Sequence, residues 1–323
     1  MKQLFYKYLF ILINKSSIMV GGQAVIEGVM MRVPGAYATA VRDPHGIIQI
    51  NYNKHISIVE KYKLIQVPIL RGFLHLIDSM KIGYKTLDWS SKISEADNQK
   101  TNQYIDIFLS LMSILFAIFL FMGIPYYLTD LFFSTNDNIL FNIFAGSLRI
   151  FIFILYLLIL SQLKDVKRLF QYHGAEHKVV FNFESGKKIT ILNAQQFSTY
   201  HPRCGTSFMF IIMIVTIVTY SFIDSTLVNI FDFNFNVFMR IGLHLLCLPF
   251  VAGLGYEVLK FLSRHQTNIV FYILSSPGLW LQRITTKNPT DSQIEVSIAA
   301  LNAAFNNDLF KFEGKKHVAE AIG

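Results

Sequence analysis

"IFLSLMSILFAIFLFMGIPYYLT", residues 107–129, carries no charged side chain. A helix rises 1.5 Å per residue, so about 20 such residues cross the roughly 30 Å hydrocarbon layer of a bilayer. Three further windows, 140–163, 207–231 and 237–262, are comparably long and apolar. Across 323 residues the chain is 53% hydrophobic and only 15% charged, with 30 phenylalanines. The apolar residues cluster rather than spread, which points to a mainly α, polytopic membrane protein. The connections "DLFFSTNDNI" (130–139) and "DFNFN" (232–236) are short. The four transmembrane helices therefore form two hairpins, at 107–163 and 207–262.

Charge sets the expected orientation. Of 29 lysines and arginines, 13 lie in residues 1–106, 7 in 164–206 and 7 in 260–323. The remaining two, Arg149 and Arg240, fall inside spans, and the short connections hold only acidic groups in or beside them: Asp130, Asp137, Asp224 and Asp232. By the positive-inside rule both termini and the 164–206 loop face the cytoplasm or a plastid stroma. The net charge of +8 is thereby explained without nucleic acid. Arg149 and Arg240 are expected to snorkel to the outer surface, the alternative being a polar cluster between helices.

The remaining segments are expected to build a small α+β cytoplasmic or stromal domain. Residues 1–18 read as an N-terminal extension, with no cleavage site to make them a signal peptide. Within 19–106, "AYATAVRDPHGIIQINYN" (36–53) reads as a hairpin turning at Asp43-Pro44-His45-Gly46. Residues 67–83 read as an amphipathic helix and 90–103 as a polar linker. The motif loop 164–206 and the tail 263–323 complete the domain. In the tail, Thr290 or Asp291 caps a helix with Ile294, Ile298 and Leu301 on one face. Cys204 and Cys247 are too few and too far apart for a disulfide framework.

Two motifs in the loop carry chemistry. In "QYHGAEHKVV" (171–180), His173 and His177 stand four apart, so on a helix both imidazoles share a face. His-x-x-Glu-His reverses the zinc-protease signature, and Glu176 takes the place of its general base. Gly174, a poor helix former, weakens that reading. In "HPRCGTSF" (201–208), His201 and Cys204 stand three apart. His173, His177, His201 and Cys204 suit a tetrahedral zinc or another divalent metal, with Glu184 a further candidate. The alternative is a set of surface histidines bonded to backbone, with Glu176 paired to Lys178 or Arg203. The motif "GGQAVIEGVMMR" (21–32) isolates Glu27 and Arg32, either a charge pair locking a turn or further site members. Glu257 of "GLGYEVLK" is an ionisable group at membrane depth and a candidate by default.

These motifs, in this order and spacing, resemble the YqhQ-like family of uncharacterised membrane proteins. The resemblance runs through residues 21–32, "YHGAEHK", "HPRCGTSF", Tyr256-Glu257 and "SPGLWLQRITTKNPTDSQIEVSIAAL" (276–301). Asn288 departs from it, standing where an acidic residue is expected. The resemblance implies a family site at His173, Glu176, His177, His201, Arg203 and Cys204, with Glu27 and Arg32 secondary. It also implies a motif-based description of the family as metal-dependent enzymes. Richness in isoleucine, asparagine, lysine and phenylalanine suits an AT-rich genome, bacterial or plastid. Two functions are carried forward. One is a metal-dependent hydrolase at the membrane surface. The other is a non-catalytic scaffold, assembly or lipid-binding factor whose polar site is structural. The expected partners are the lipid bilayer and proteins the sequence does not identify.

Overall fold

The structure is a computed structural model, and it describes residues 18–61, 67–95, 103–133, 138–231, 235–264, 269–312 and 314–317. The N-terminal extension (all but its last residue), half of the 90–103 linker (96–102), and Asp137 and Asp232 lie outside the described residues.

The chain opens with a four-stranded antiparallel meander: β1 (Gly21–Val25), β2 (Gly28–Val33), β3 (Ala36–Arg42) and β4 (Ile48–Lys54). The motif "GGQAVIEGVMMR" is thus two strands and a tight loop, where sequence reading offered a turn locked by a charge pair or further site members. Val25 pairs with Gly28, leaving Ile26 and Glu27 as a two-residue loop with Glu27 at φ 52°. The β3–β4 turn falls where proline and glycine place it. There Asp43 Oδ1 accepts from the amides of His45 and Ile47 at 3.0 and 2.9 Å.

Helices follow. After the single turn α1 (Ile58–Lys61) comes α2 (Leu70–Ser94), which runs well beyond the expected 67–83. Next are α3 (Gln103–Ile118), a π-helical turn (Phe119–Gly123) and α4 (Ile124–Asp130). Pro125 sits at the start of α4, so the first apolar run changes winding before its proline instead of continuing as one α-helix. Then come α5 (Asn138–Leu160), α6 (Lys164–Ser185), α7 (Ile191–Gln195), α8 (Gly205–Phe231), α9 (Val237–Arg264), α10 (Ile269–Thr285) and α11 (Asp291–Ala304). Among the described residues, four stretches are long and apolar enough to cross a membrane: Ile107–Asp130, Ile139–Leu160, Phe208–Phe231 and Val237–Leu262.

Strand alternation decides how the sheet is covered. Val29, Met31 and Val33 of β2, with Ala36, Ala38 and Ala40 of β3, point into a core with Val179, Val180 and Phe183 of α6 and Ile294, Ala300 and Leu301 of α11. Met30 and Tyr37 point the other way and meet Ile82 of α2. Both faces being covered, β2 and β3 lose the apolar–polar alternation of a one-sided sheet. Each large apolar side chain so buried contributes roughly 1.5–3 kcal/mol. The α11 cap is as expected, with the Thr290 amide donating to Gln293 Oε1 at 2.9 Å. At Gly174, a Cβ would sit 2.1 Å from the Lys287 carbonyl oxygen. The glycine is therefore a crossing point where the chain after α10 presses on α6.

The apolar helices hold a buried charged cluster. Asp224 of α8, His244 and Arg240 of α9, Tyr126 of α4 and Asn142 of α5 meet there. Tyr126 O–H donates to His244 Nδ1 at 2.5 Å, and His244 Nε2–H donates to Asp224 Oδ1 at 2.9 Å. Asp224 Oδ2 accepts from Asn142 at 2.7 Å and pairs with Arg240 at 3.2 Å. Arg240 is 1% exposed, and its guanidinium lies 3.9 Å from the Phe141 ring centroid. The expectation that Arg149 and Arg240 snorkel is therefore wrong. Arg240 pairs inside the bundle, and Arg149 Nε donates to the Phe121 carbonyl at 2.8 Å. A histidine and an asparagine on neighbouring helices satisfy the carboxylate, and Tyr126 bonds that histidine in turn, so the charges stay buried.

Two stability outcomes follow, both read by thermal unfolding of detergent-solubilised protein. Asp224→Asn leaves Arg240 without its countercharge and should cost roughly 3–5 kcal/mol. Adding Arg240→Met should recover part of that loss, whereas simple additivity would contradict the pairing. Gly174→Ala would gain about 1 kcal/mol in an unobstructed helix. Here it should instead destabilise by roughly 1–3 kcal/mol, because the obstacle is backbone.

Candidate metal centre

Helix α6 carries His173 and His177 one turn apart, while Tyr172 and Ala175 of the same motif join the sheet core. Its Val179, Val180 and Phe183 go into that core. His173 and His177 are thereby turned together, with ring centroids 4.4 Å apart. Cys204 arrives from the residue immediately before α8, and its Sγ lies 3.1 Å from His173 Nε2. One ligand atom from each of His173, His177 and Cys204 lies within 4.8 Å of the others. A tetrahedral zinc bonded at about 2.0–2.3 Å separates its nitrogen and sulfur ligands by roughly 3.3–3.6 Å, so small side-chain adjustments admit an ion.

The ring orientations are set by main chain. His173 Nδ1–H donates to the Thr285 carbonyl at 2.8 Å, and His177 Nδ1–H donates to the Thr199 carbonyl at 2.5 Å. A carbonyl only accepts, so each Nδ1 holds the proton and each Nε2 presents a lone pair. Burial pushes both imidazoles below their ordinary range, as it does His201, which keeps them neutral, the form that ligates. The Thr206 hydroxyl lies 3.2 Å from Cys204 Sγ, and the Thr206 amide reaches the same sulfur at 3.5 Å.

Glu176 is enclosed beside them, 6% exposed, with Oε2 3.4 Å from His177 Nε2. Burial pushes its carboxyl above the ordinary range, against the opposing pull of His173, His201 and Arg203. A Cβ on Gly22 would stand 2.8 Å from Glu176 Cγ. The first strand therefore reaches the site as bare backbone against this carboxylate. The alternative pairing of Glu176 with Lys178 or Arg203 is not among the ion pairs of the described residues. Lys178 donates to the carbonyls of Gln195 and Phe197 at 2.8 and 2.7 Å, and Arg203 is bound to Glu184.

His201 stands next to His173, His177 and Cys204 without joining their cluster. Its ring centroid is 5.5 Å from that of His177, and its Nε2 is 3.7 Å from Glu184 Oε2. Gln282 clamps its main chain, accepting from the His201 amide at 2.7 Å and donating to its carbonyl at 2.8 Å. The other candidates are engaged elsewhere. Glu27 pairs with Arg168, and Arg32 approaches Asp78 at 3.4 Å, where His55 also bonds at 2.8 Å. Glu257 takes two bonds from Arg71, at 2.7 and 2.6 Å, where α2 crosses α9.

Sequence reading missed Thr199, Thr285, Gln282 and Thr206. Two of these act through carbonyls, which every residue has, so no side-chain pattern marks them. Gln282 and Thr285 do lie in the dense stretch 276–301, whose distance along the chain from the histidines hid their contact.

The family model described as "Protein of unknown function (DUF1385)" matches residues 67–307, which include His173, Glu176, His177, His201 and Cys204. A bacterial relative, "Uncharacterized protein YqhQ" of Bacillus subtilis (strain 168), is 33% identical over 319 residues. That alignment covers 92% of this chain and 95% of the relative. No solved structure matches. The protein belongs to the YqhQ-like family, the one whose model is described as DUF1385.

Proposed function

We propose that this protein is an integral membrane protein whose loop-borne site holds one divalent metal ion of the zinc class and hydrolyses a substrate at the bilayer surface. The observation that carries the reading is the paired tautomer: two main-chain carbonyls leave His173 Nε2 and His177 Nε2 unprotonated beside the Cys204 sulfur. Two imidazoles and a thiolate are a zinc donor set, and three protein ligands leave one coordination position. Such an ion supplies a Lewis acid and a water acidified to near neutral pH. Glu176, enclosed beside His177, would be the group to accept a proton, the role its place in the motif gives it. The lipid bilayer is the partner implied by the four apolar helices, and the bacterial relative fits a bacterial membrane. In this reading the site, both termini and the basic loops share the cytoplasmic side.

One observation favours a second reading, a non-catalytic factor with a structural metal. Glu176, His177 and Cys204 are 6%, 2% and 7% exposed, and closed sites are the habit of structural zinc.

Full-length protein purified without chelator should carry about one equivalent of zinc by elemental analysis. His173→Ala with His177→Ala should abolish it, and acidification should release it, because imidazole and thiolate ligands bind only when deprotonated. A metal-free wild type would end the proposal. Glu176→Gln separates the two readings. It should keep the metal and lower activity roughly 10²–10⁴-fold, scored by complementation of a deletion strain. Full complementation with full metal would make the site structural.

A further inference from the structure

Helix α10 lies outside the four membrane-length helices, yet its surface resembles theirs. Before Pro277 it exposes Ile269, Val270, Ile273 and Leu274, between 55% and 67% accessible. The spacing i, i+1, i+4, i+5 gathers them into one apolar stripe. Trp280, one turn further on, is half exposed. Beyond the proline the helix turns inward: Leu281 and Ile284 pack with Phe153, Ile154 and Leu157 of α5, Met213 of α8 and Phe121. On α5, the neighbours of those contacts, Leu155, Leu158 and Ile159, are themselves exposed apolar residues of a membrane-length helix. The α10 stripe therefore extends the surface that the four helices present to lipid.

Both ends of α10 are tethered to the same side. Its start, Ile269, follows the end of α9 at Arg264 by five Cα steps, which span at most roughly 18 Å. Its last turn bonds to His173 and, through Gln282, to His201, three residues before Cys204 at the start of α8. The end of α9 and the start of α8 are the ends joined to the basic segments. A helix held this way does not cross the bilayer. Arg283 is exposed in its last turn, placed to meet headgroups as the neighbouring apolar residues meet acyl chains.

We propose that α10 is a fifth membrane-embedded element, a non-spanning helix sunk in the leaflet on the basic side. Its apolar stripe contacts acyl chains, and its far end carries two of the groups that orient the histidine cluster. The inference rests on the membrane reading of the four helices and adds to it a lipid contact at the site itself.

The test uses full-length protein in vesicles of phosphatidylcholine and phosphatidylglycerol. The acyl chains are either plain or brominated, near the headgroup or near the bilayer centre. The chain has two tryptophans, so Trp89→Phe leaves Trp280 alone. Trp89→Phe, Trp280→Phe, Leu155→Trp places the reporter on α5 instead. Trp280 should lose most of its emission to shallow bromine and less to deep bromine, and the Leu155→Trp reporter should also be quenched. Wild type compared with Trp280→Phe alone gives the same difference without disturbing α2. Undiminished Trp280 emission with a quenched α5 reporter would overturn the α10 inference and leave the membrane reading intact. Undiminished emission from both reporters would overturn both.

Discussion

Two carbonyl oxygens, those of Thr199 and Thr285, determine what the histidines of this protein can do. Each accepts a hydrogen bond from the Nδ1–H of one imidazole and so leaves the other nitrogen with its lone pair. Without them, a buried pair of neutral histidines has no fixed tautomer and no common focus. The rest of the fold serves that constraint. Helix α6 supplies the histidines, the loop after α7 supplies Thr199, the end of α10 supplies Thr285, and the start of α8 supplies the thiol. Helix α6, the 199–204 stretch that soon follows it, and the distant end of α10 must dock for the site to exist.

The docking is held from two directions. On one side, α6 buries Val179, Val180 and Phe183 against the sheet and α11. On the other, the Lys287 carbonyl presses on Gly174 while the Lys287 amide donates to the Phe170 carbonyl at 2.9 Å. Gly174 weakens the helix by propensity but lets the end of α10 come close enough for Thr285 to reach His173. Gly22 plays the same part for the first strand against Glu176. Both glycines are places where backbone touches the site.

How far the sequence could be read follows from range. The four apolar runs were legible because length and oiliness are local properties, and their bounds agree with the four membrane-length stretches to within about two residues, apart from the second run's inner end, three residues long. The Asp43–Gly46 turn and the Thr290 cap were legible for the same reason. His173, His177 and Cys204 were legible from residue type and spacing. The four-stranded sheet was half hidden, because β1 and β2 are buried on both sides or rich in glycine and do not alternate. Arg240 was misread because snorkelling is the default for an arginine near a helix end. Its partner Asp224 lies on the preceding helix, with Tyr126, Asn142 and His244 completing the set across the bundle. Long-range pairing of this kind leaves no periodic trace.

The central claim concerns which atoms surround one ion. X-ray absorption at the zinc edge of the purified full-length protein reads that directly. One sulfur at about 2.3 Å with nitrogen neighbours at about 2.0–2.1 Å is the result expected. Replacing Cys204 with serine should remove the sulfur shell alone. A spectrum of light-atom neighbours only, unchanged by that substitution, would contradict the assignment.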